Sequence, residues 1–245
     1  MSRLTDVATV ESSSEFGVPY DVDYDAAARP LIVQDLCARA NTALVAGSTS
    51  KTAVVYTIRP FGAMVSALRP NRCLPSDFPA FEAGLNSDLT REEHRVAAYV
   101  LYNGLPGWTS AQPFLLNSDV ATVASGTLTI QQLVGAVLDA FRAGEVGQEP
   151  ILHLGQTAAI QLSAGNALSP SPRSDEFYLA MDGTPIVVSS AYPTALVAAT
   201  GPVTVRRGTV DNLDPANEYQ TNRTDFGSLV PMAVEFDASI AVRST

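Results

Sequence analysis

Thr129-Ile130-Gln131-Gln132-Leu133-Val134-Gly135-Ala136-Val137-Leu138-Asp139-Ala140-Phe141-Arg142-Ala143-Gly144 is the most regular stretch of this 245-residue chain. Ile130, Leu133, Val134, Val137, Leu138 and Phe141 recur at three- and four-residue intervals, the spacing of one helix face. Thr129 followed three places later by Gln132 is a capping box, which satisfies free backbone N–H groups at a helix start. Gly144 supplies the stop. The spacing predicts an amphipathic helix that must bury its apolar face on a neighbour.

Beyond Gly144 the chain is β-rich. Ile151-Leu152-His153-Leu154 has the length and polarity of a short strand, and Thr157 to Leu162 reads as a short helix. Phe177 to Met181, then Asp182-Gly183, then Thr184 to Ser189 predicts a hairpin, because Asp-Gly accepts the positive φ angles of a tight primed turn. Val203 to Val210 predicts a strand, whereas Leu213 to Phe226 is polar and reads as loop or irregular strand. At the end, Val234, Phe236, Ala238, Ile240 and Val242 alternate with Glu235, Asp237, Ser239 and Arg243, which predicts one long half-buried antiparallel strand.

Upstream, a second helical pattern runs from Ser76 to Tyr102, with Leu89, Val96, Val100 and Leu101 on one face. Asp88, Thr90 and Glu92-Glu93 read as its acidic first turn and Asn103-Gly104 as its end. Phe78 to Leu85 is then an additional helix, or an extension broken near Gly84 to Ser87. Residues 103–127 read as loop around Leu105-Pro106-Gly107-Trp108, with Trp108 either a contact anchor or a core plug. Before the helices, Thr52 to Ile58 and Phe61 to Leu68 predict strands joined by a bend at Arg59-Pro60. Residues 1–35 read as an acidic extended arm with Tyr20, Val22 and Tyr24 alternating with aspartates, and Leu31 to Ala40 as a short helix. Strands and helices in segregated runs predict an α+β fold rather than a βαβ series.

Composition narrows the function. Hydrophobic residues make up 46% and charged residues 16%, so the chain can build a core, and its sparse charge suits a surface that meets protein. A net charge of −10 and a single dibasic pair, Arg206-Arg207, argue against sequence-specific nucleic-acid readout. Lys51 is the only lysine, at the tip Gly47-Ser48-Thr49-Ser50-Lys51. Cys37 and Cys73 sit in no metal spacing and are too few for a disulfide scaffold. No leader pattern and no membrane-length apolar run occur, so a soluble protein made in a cytoplasm is expected.

Catalytic chemistry finds little to stand on. A hydrolase would have to pair one of the two histidines with a serine, and no G-x-S-x-G elbow is present. His94 reads as a helix-surface residue and His153 as a satisfied core or edge histidine. No zinc, EF-hand or phosphate-loop motif occurs, so no metal or cofactor site and no catalytic residue is expected. The clusters Asp21/Asp23/Asp25 and Glu92/Glu93 read as solvated charge.

An ordered series of pieces resembles the major capsid proteins of tailed bacteriophages with the Hong Kong 97 fold, actinophage members in particular. The series runs from Glu92-Glu93-His94-Arg95 to Asn103-Gly104, through Thr129–Gly144 and Ile151–Leu154, to Asp182-Gly183-Thr184-Pro185-Ile186-Val187-Val188, Ala199-Thr200-Gly201-Pro202-Val203 and the alternating C-terminal stretch. The resemblance implies an N-terminal arm (1–35), an extended E-loop (36–75), a peripheral domain with a spine helix (76–104), an axial domain (105–200) and peripheral return strands (201–245). It also implies self-assembly as pentamers and hexamers into an icosahedral head, enclosing double-stranded DNA without sequence-specific binding. Scaffold, portal and decoration proteins would be partners, the location would be the virion, and assembly would occur in the bacterial host cytoplasm. No charged scaffolding segment precedes the arm, so a separate scaffold protein, or none, is expected. Some family members cross-link neighbours through an E-loop lysine and an asparagine. Lys51 with Asn212, Asn217 or Asn222 and Glu218 would be the candidates here, against the simpler reading of Lys51 as a solubilising loop-tip charge. Competing expectations are an encapsulin-like compartment shell, another virion protein such as a tail or decoration component, and a small hydrolase using Ser with His153.

Overall fold

The computed structural model describes residues 4, 8–12, 20–24, 54–58, 60–70, 78–105, 113–144, 148–170, 177–218 and 223–245. Two sheets organise them. The first is built on β13 (Arg223–Glu235), which pairs antiparallel along one side with β4 (Phe61–Pro70), from Arg223 opposite Pro70 to Met232 opposite Phe61. Its other side is taken first by β12 (Asp211–Glu218) and then by β11 (Thr204–Arg207). Register shifts between Leu213 and Ala216, where Asp214-Pro215 intervenes and Pro has no N–H for the ladder. β1 (Thr9–Ser12) extends this sheet as a parallel partner of β11, with Val10 opposite Val205. Part of the stretch read as an extended arm thus lies on its own subunit, and Leu4 is buried in the core.

Helix α1 (Phe78–Asn103) packs on β13 and β4. It runs unbroken through Gly84–Ser87, where the sequence suggested a break, so Glu92 and Glu93 are mid-helix rather than in a first turn. Leu85, Leu89, Ala97, Ala98 and Leu101 form its buried stripe. Gly104, at φ +73°, ends it in the left-handed conformation and donates to the Val100 carbonyl.

The second sheet has the order β5 (Ala121–Val123), β14 (Val242–Ser244), β10 (Val197–Thr200), β6 (Ile151–Leu154), β9 (Pro185–Val188), β8 (Phe177–Leu179), β7 (Leu168–Pro170). One face carries α2 (Ile130–Gly144) and α3 (Gln156–Ala164). The capping box forms as expected: Gln132 Oε1 accepts from Thr129 N–H at 2.9 Å, and Gln132 N–H donates to Thr129 Oγ1 at 3.4 Å. Leu133, Val134, Val137, Leu138 and Phe141 are all buried, each stabilising by about 1.5–3 kcal/mol.

This sheet is buried on both faces, and strand alternation sorts its side chains between two cores. Leu152, Leu154, Val197 and Ala199 pack with α2 and α3. Ile151 and Ala198 join the core formed by α1 and the first sheet. The hairpin forms, but with a four-residue loop, Ala180–Gly183, instead of a two-residue one. Leu179 N–H donates to Thr184 O, only Gly183 has positive φ, and Asp182 Oδ1 turns the chain by accepting from Thr184 N–H and Oγ–H.

The expected long strand through Val234–Val242 is corrected. The long strand is β13, which begins in the polar stretch read as loop or irregular strand, and it ends at Glu235. Asp237 Oδ1 then accepts from both Ser239 N–H and Ser239 Oγ–H, closing an Asx turn, and Ala241 N–H bonds Ala238 O. Residues 236–241 thereby cross to the second sheet, where β14 pairs with β10 and β5. A second crossing, Gly201-Pro202-Val203, packs directly against the first: a Cβ on Gly201 would lie 2.7 Å from Ile240 Cδ1.

A third, two-stranded sheet joins β2 (Tyr20–Tyr24) and β3 (Val54–Ile58) antiparallel, with Tyr20 opposite Ile58, Val22 opposite Tyr56 and Tyr24 opposite Val54. Among the described residues it is hydrogen-bonded to neither larger sheet, though Ile58 is buried in the core of the first.

Candidate assembly surface and the joint between the sheets

The residues that the sequence offered for chemistry are placed mostly in structural roles. His153 is wholly buried on β6. Its Nε2 lies 2.8 Å from Thr200 Oγ1 and its Nδ1 3.1 Å from Tyr192 Oη. Thr200 Oγ–H donates to Gly201 O at 2.9 Å, so this oxygen accepts from His153 Nε2–H, and Tyr192 Oη–H then donates to Nδ1. One neutral tautomer satisfies the whole chain. Burial alone lowers the imidazole to about 3 and pushes the Tyr192 phenol well above its ordinary value. Both nitrogens are committed to these partners, which leaves none for activating a serine.

Glu93 is the other correction. It is buried, not solvated, and accepts from Arg207 Nε at 2.8 Å across 114 residues, tying α1 to β11. Arg206 pairs with Glu235 and, at 3.6 Å, with Glu11. The one dibasic run is therefore neutralised inside the first sheet. Glu92 pairs with Arg95 at the surface, and His94 sits half-buried in mid-helix. Asp21 and Asp23 occupy β2 opposite Thr57 and Val55. Lys51, Trp108, Cys37 and Cys73 lie outside the described residues. Among the described residues no three His, Cys, Asp or Glu side chains converge to hold a metal, and no helix is long and apolar enough to cross a membrane.

Two features went unseen in the sequence. Gly155, between β6 and α3, lies against the 193–196 segment: Gly155 N–H donates to Leu196 O, while Thr157 and Ala158 N–H both donate to Thr194 O and so cap α3. On the outer side, α2, Leu162, Ala167 and the β8–β9 loop enclose an apolar cavity of about 390 Å³. An Arg142–Asp182 ion pair lies along it, and Met181 stands 88% exposed beside it. Burial pushes the Asp182 carboxyl up, but the bonds from Thr184 and Arg142 outweigh this and hold it below the usual carboxylate range. Ile160 on α3, Tyr99 on α1 and Met64 on β4 are further exposed apolar side chains, so both halves present apolar surface.

No family model and no curated protein matches the chain. Solved structures do match over nearly its full length. A chain from the capsid of an empty GTA particle superposes with a TM-score of 0.58 at 16% identity, covering 99% of this chain and 88% of its own. A chain from Mycobacterium phage Ogopogo gives 0.55 at 13% identity, covering 100% and 92%. A chain of the holo-SrpI encapsulin complex from Synechococcus elongatus PCC 7942 gives 0.56 at 10% identity, covering 98% and 85%. With superpositions that cover 98–100% of its length, the chain has an α+β, Hong Kong 97-type fold.

Proposed function

We propose that the chain is the major capsid protein of a tailed phage, a non-enzymatic subunit that assembles into the icosahedral head around double-stranded DNA. The observation that carries this reading is coverage. The fold match takes in 99% of this chain and 88% of a GTA capsid chain, so it is the chain as a whole, not one part of it, that is similar to a capsid chain. The β2–β3 ribbon, anchored to the first sheet at Ile58, supports it. This two-stranded sheet pairs with no third strand among the described residues, and laying it on a neighbouring copy would stabilise both. A closed shell needs such heterologous contacts, repeated around each axis. In this scheme residues 1–35 act as arm, 36–75 as extended loop, 76–104 and 201–245 as peripheral domain, and 105–200 as axial domain of pentamers and hexamers. The internal pairing of Arg206 and Arg207 suits a wall that contains DNA without gripping it. Scaffold, portal and decoration proteins are the partners such a head uses, with assembly in the host cytoplasm.

A compartment shell is the second reading, favoured by the encapsulin match, whose TM-score of 0.56 falls between the 0.58 and 0.55 of the GTA and Ogopogo chains. Particles purified from infected or induced cells and treated with nuclease separate the two. Protected double-stranded DNA is expected; empty shells or shells filled with a protein cargo would overturn the phage-head reading.

A further inference from the structure

His153 sits where the two cores meet. It shares a face of the second sheet with Ile151, and its edge-on partner Tyr192 packs at 5.9 Å on one side and against Tyr102 of α1 at 6.2 Å on the other. Tyr192 belongs to the segment 189–196. That segment holds the second sheet to α3 through the Thr194 and Leu196 carbonyls. A single hydrogen-bonded line thus runs from Gly201, at one crossing between the sheets, through Thr200 and His153 to Tyr192, two residues before the Thr194 carbonyl that caps α3.

We propose that His153 is an acid-sensitive latch: its neutral ring pins Tyr192 and the 189–196 segment to β6, and uptake of one solvent proton at Nδ1 releases them. In the neutral state Nδ1 must accept the Tyr192 hydroxyl proton, because Nε2–H is already given to Thr200. A proton on Nδ1 takes away the acceptor of the buried Tyr192 hydroxyl proton, which must turn elsewhere, and places a cation in a buried site. The groups facing the ring are Val187 from β9, Ala198 and Thr200 from β10, Tyr192 from the 189–196 segment and, behind it, Tyr102 from α1. Among the described residues no carboxylate or guanidinium is bonded to the ring. Opening admits water, and the ring returns to its ordinary 6.5, against about 3 when closed. The closed state therefore binds fewer protons between these values. Its advantage is complete above 6.5 and falls about tenfold per unit as the pH drops toward 3.

Amide hydrogen exchange on the purified full-length chain tests this. The opening constant at Gly155, Thr157 and Ala158, corrected for intrinsic exchange, is expected to rise about a hundredfold between about pH 7.5 and 4.5. Amides in the middle of α2 serve as the internal reference and should change much less. His153→Gln should abolish that local rise. An equal rise in the variant, or an equal rise in α2, overturns the latch. Should the variant fail to fold, the wild-type His153 Cε1–H resonance decides. It is expected to keep its neutral position down to about pH 4.5 in the closed state, and titration near the ordinary value overturns the proposal.

Discussion

Gly155→Ala probes the packing between β6, α3 and the 193–196 segment most severely. Gly155 has φ −71° and ψ 162°, an extended conformation open to any residue, so backbone preference gives no reason for glycine. Space gives one. An added Cβ would overlap the Pro193 carbonyl oxygen and lie 2.6 Å from the Thr194 carbonyl carbon and oxygen, all backbone atoms of a segment held between the buried Tyr192 and Leu196. Relief requires the 193–196 segment to move away, and that segment supplies the acceptors for Gly155, Thr157 and Ala158 N–H. Two or three hydrogen bonds at about 1 kcal/mol each, plus about 1–3 kcal/mol of overpacking, give a loss of about 3–6 kcal/mol. That is a large part of the stability of a typical domain, about 5–15 kcal/mol. Urea unfolding of the purified chain measures it, with Gly135→Ala as the control. Gly135 lies in α2 with nothing within 4 Å of its missing Cβ, and alanine there should stabilise by about 0.5–1 kcal/mol. A Gly155→Ala midpoint indistinguishable from wild type would refute this reasoning.

Named contacts set the other expected outcomes. Phe141→Ala, which empties a fully buried site between α2 and the second sheet, should cost about 3–5 kcal/mol in the same assay. Glu93→Gln should cost about 1–3 kcal/mol, less than a fully buried pair because Arg207 keeps 33% side-chain exposure, and Arg207→Gln in the Glu93→Gln background should add little in a double-mutant cycle. Thr129→Ala should lower stability by about 1 kcal/mol through loss of the α2 cap, detectable as a shifted midpoint with unchanged slope. Denaturing electrophoresis of assembled particles is expected to show one band at the 25.8 kDa of the single chain, and a ladder would instead assign Lys51 a cross-linking role.

Local signals carried far in this sequence, and their reach sets what was legible. The Thr129–Gln132 box and the apolar stripe behind it needed only neighbours within one helix, and α2 formed as read. The four-residue buried run at Ile151–Leu154 was equally plain. The misread C-terminal strand shows the limit of periodicity. Phe236, Ala238 and Ile240 stay buried on alternate positions across a turn, so the pattern persists where the strand does not. The only local hint was Asp237 two residues before Ser239, the pair that closes the turn. β10 passed unnoticed because Val197-Ala198-Ala199-Thr200 is short and alanine-rich. The joint was the least legible part. Glu93 finds Arg207, His153 finds Tyr192 and Thr200, and Gly155 meets Pro193, all through tertiary contacts that no local pattern encodes.

Electron microscopy of the expressed chain, alone and with its neighbouring phage genes, tests the central claim most directly. Closed shells or capsomer rings are predicted, with the β2–β3 ribbon of one copy lying against the next. A stable, well-folded monomer under every condition would contradict the assembly of this chain into a shell.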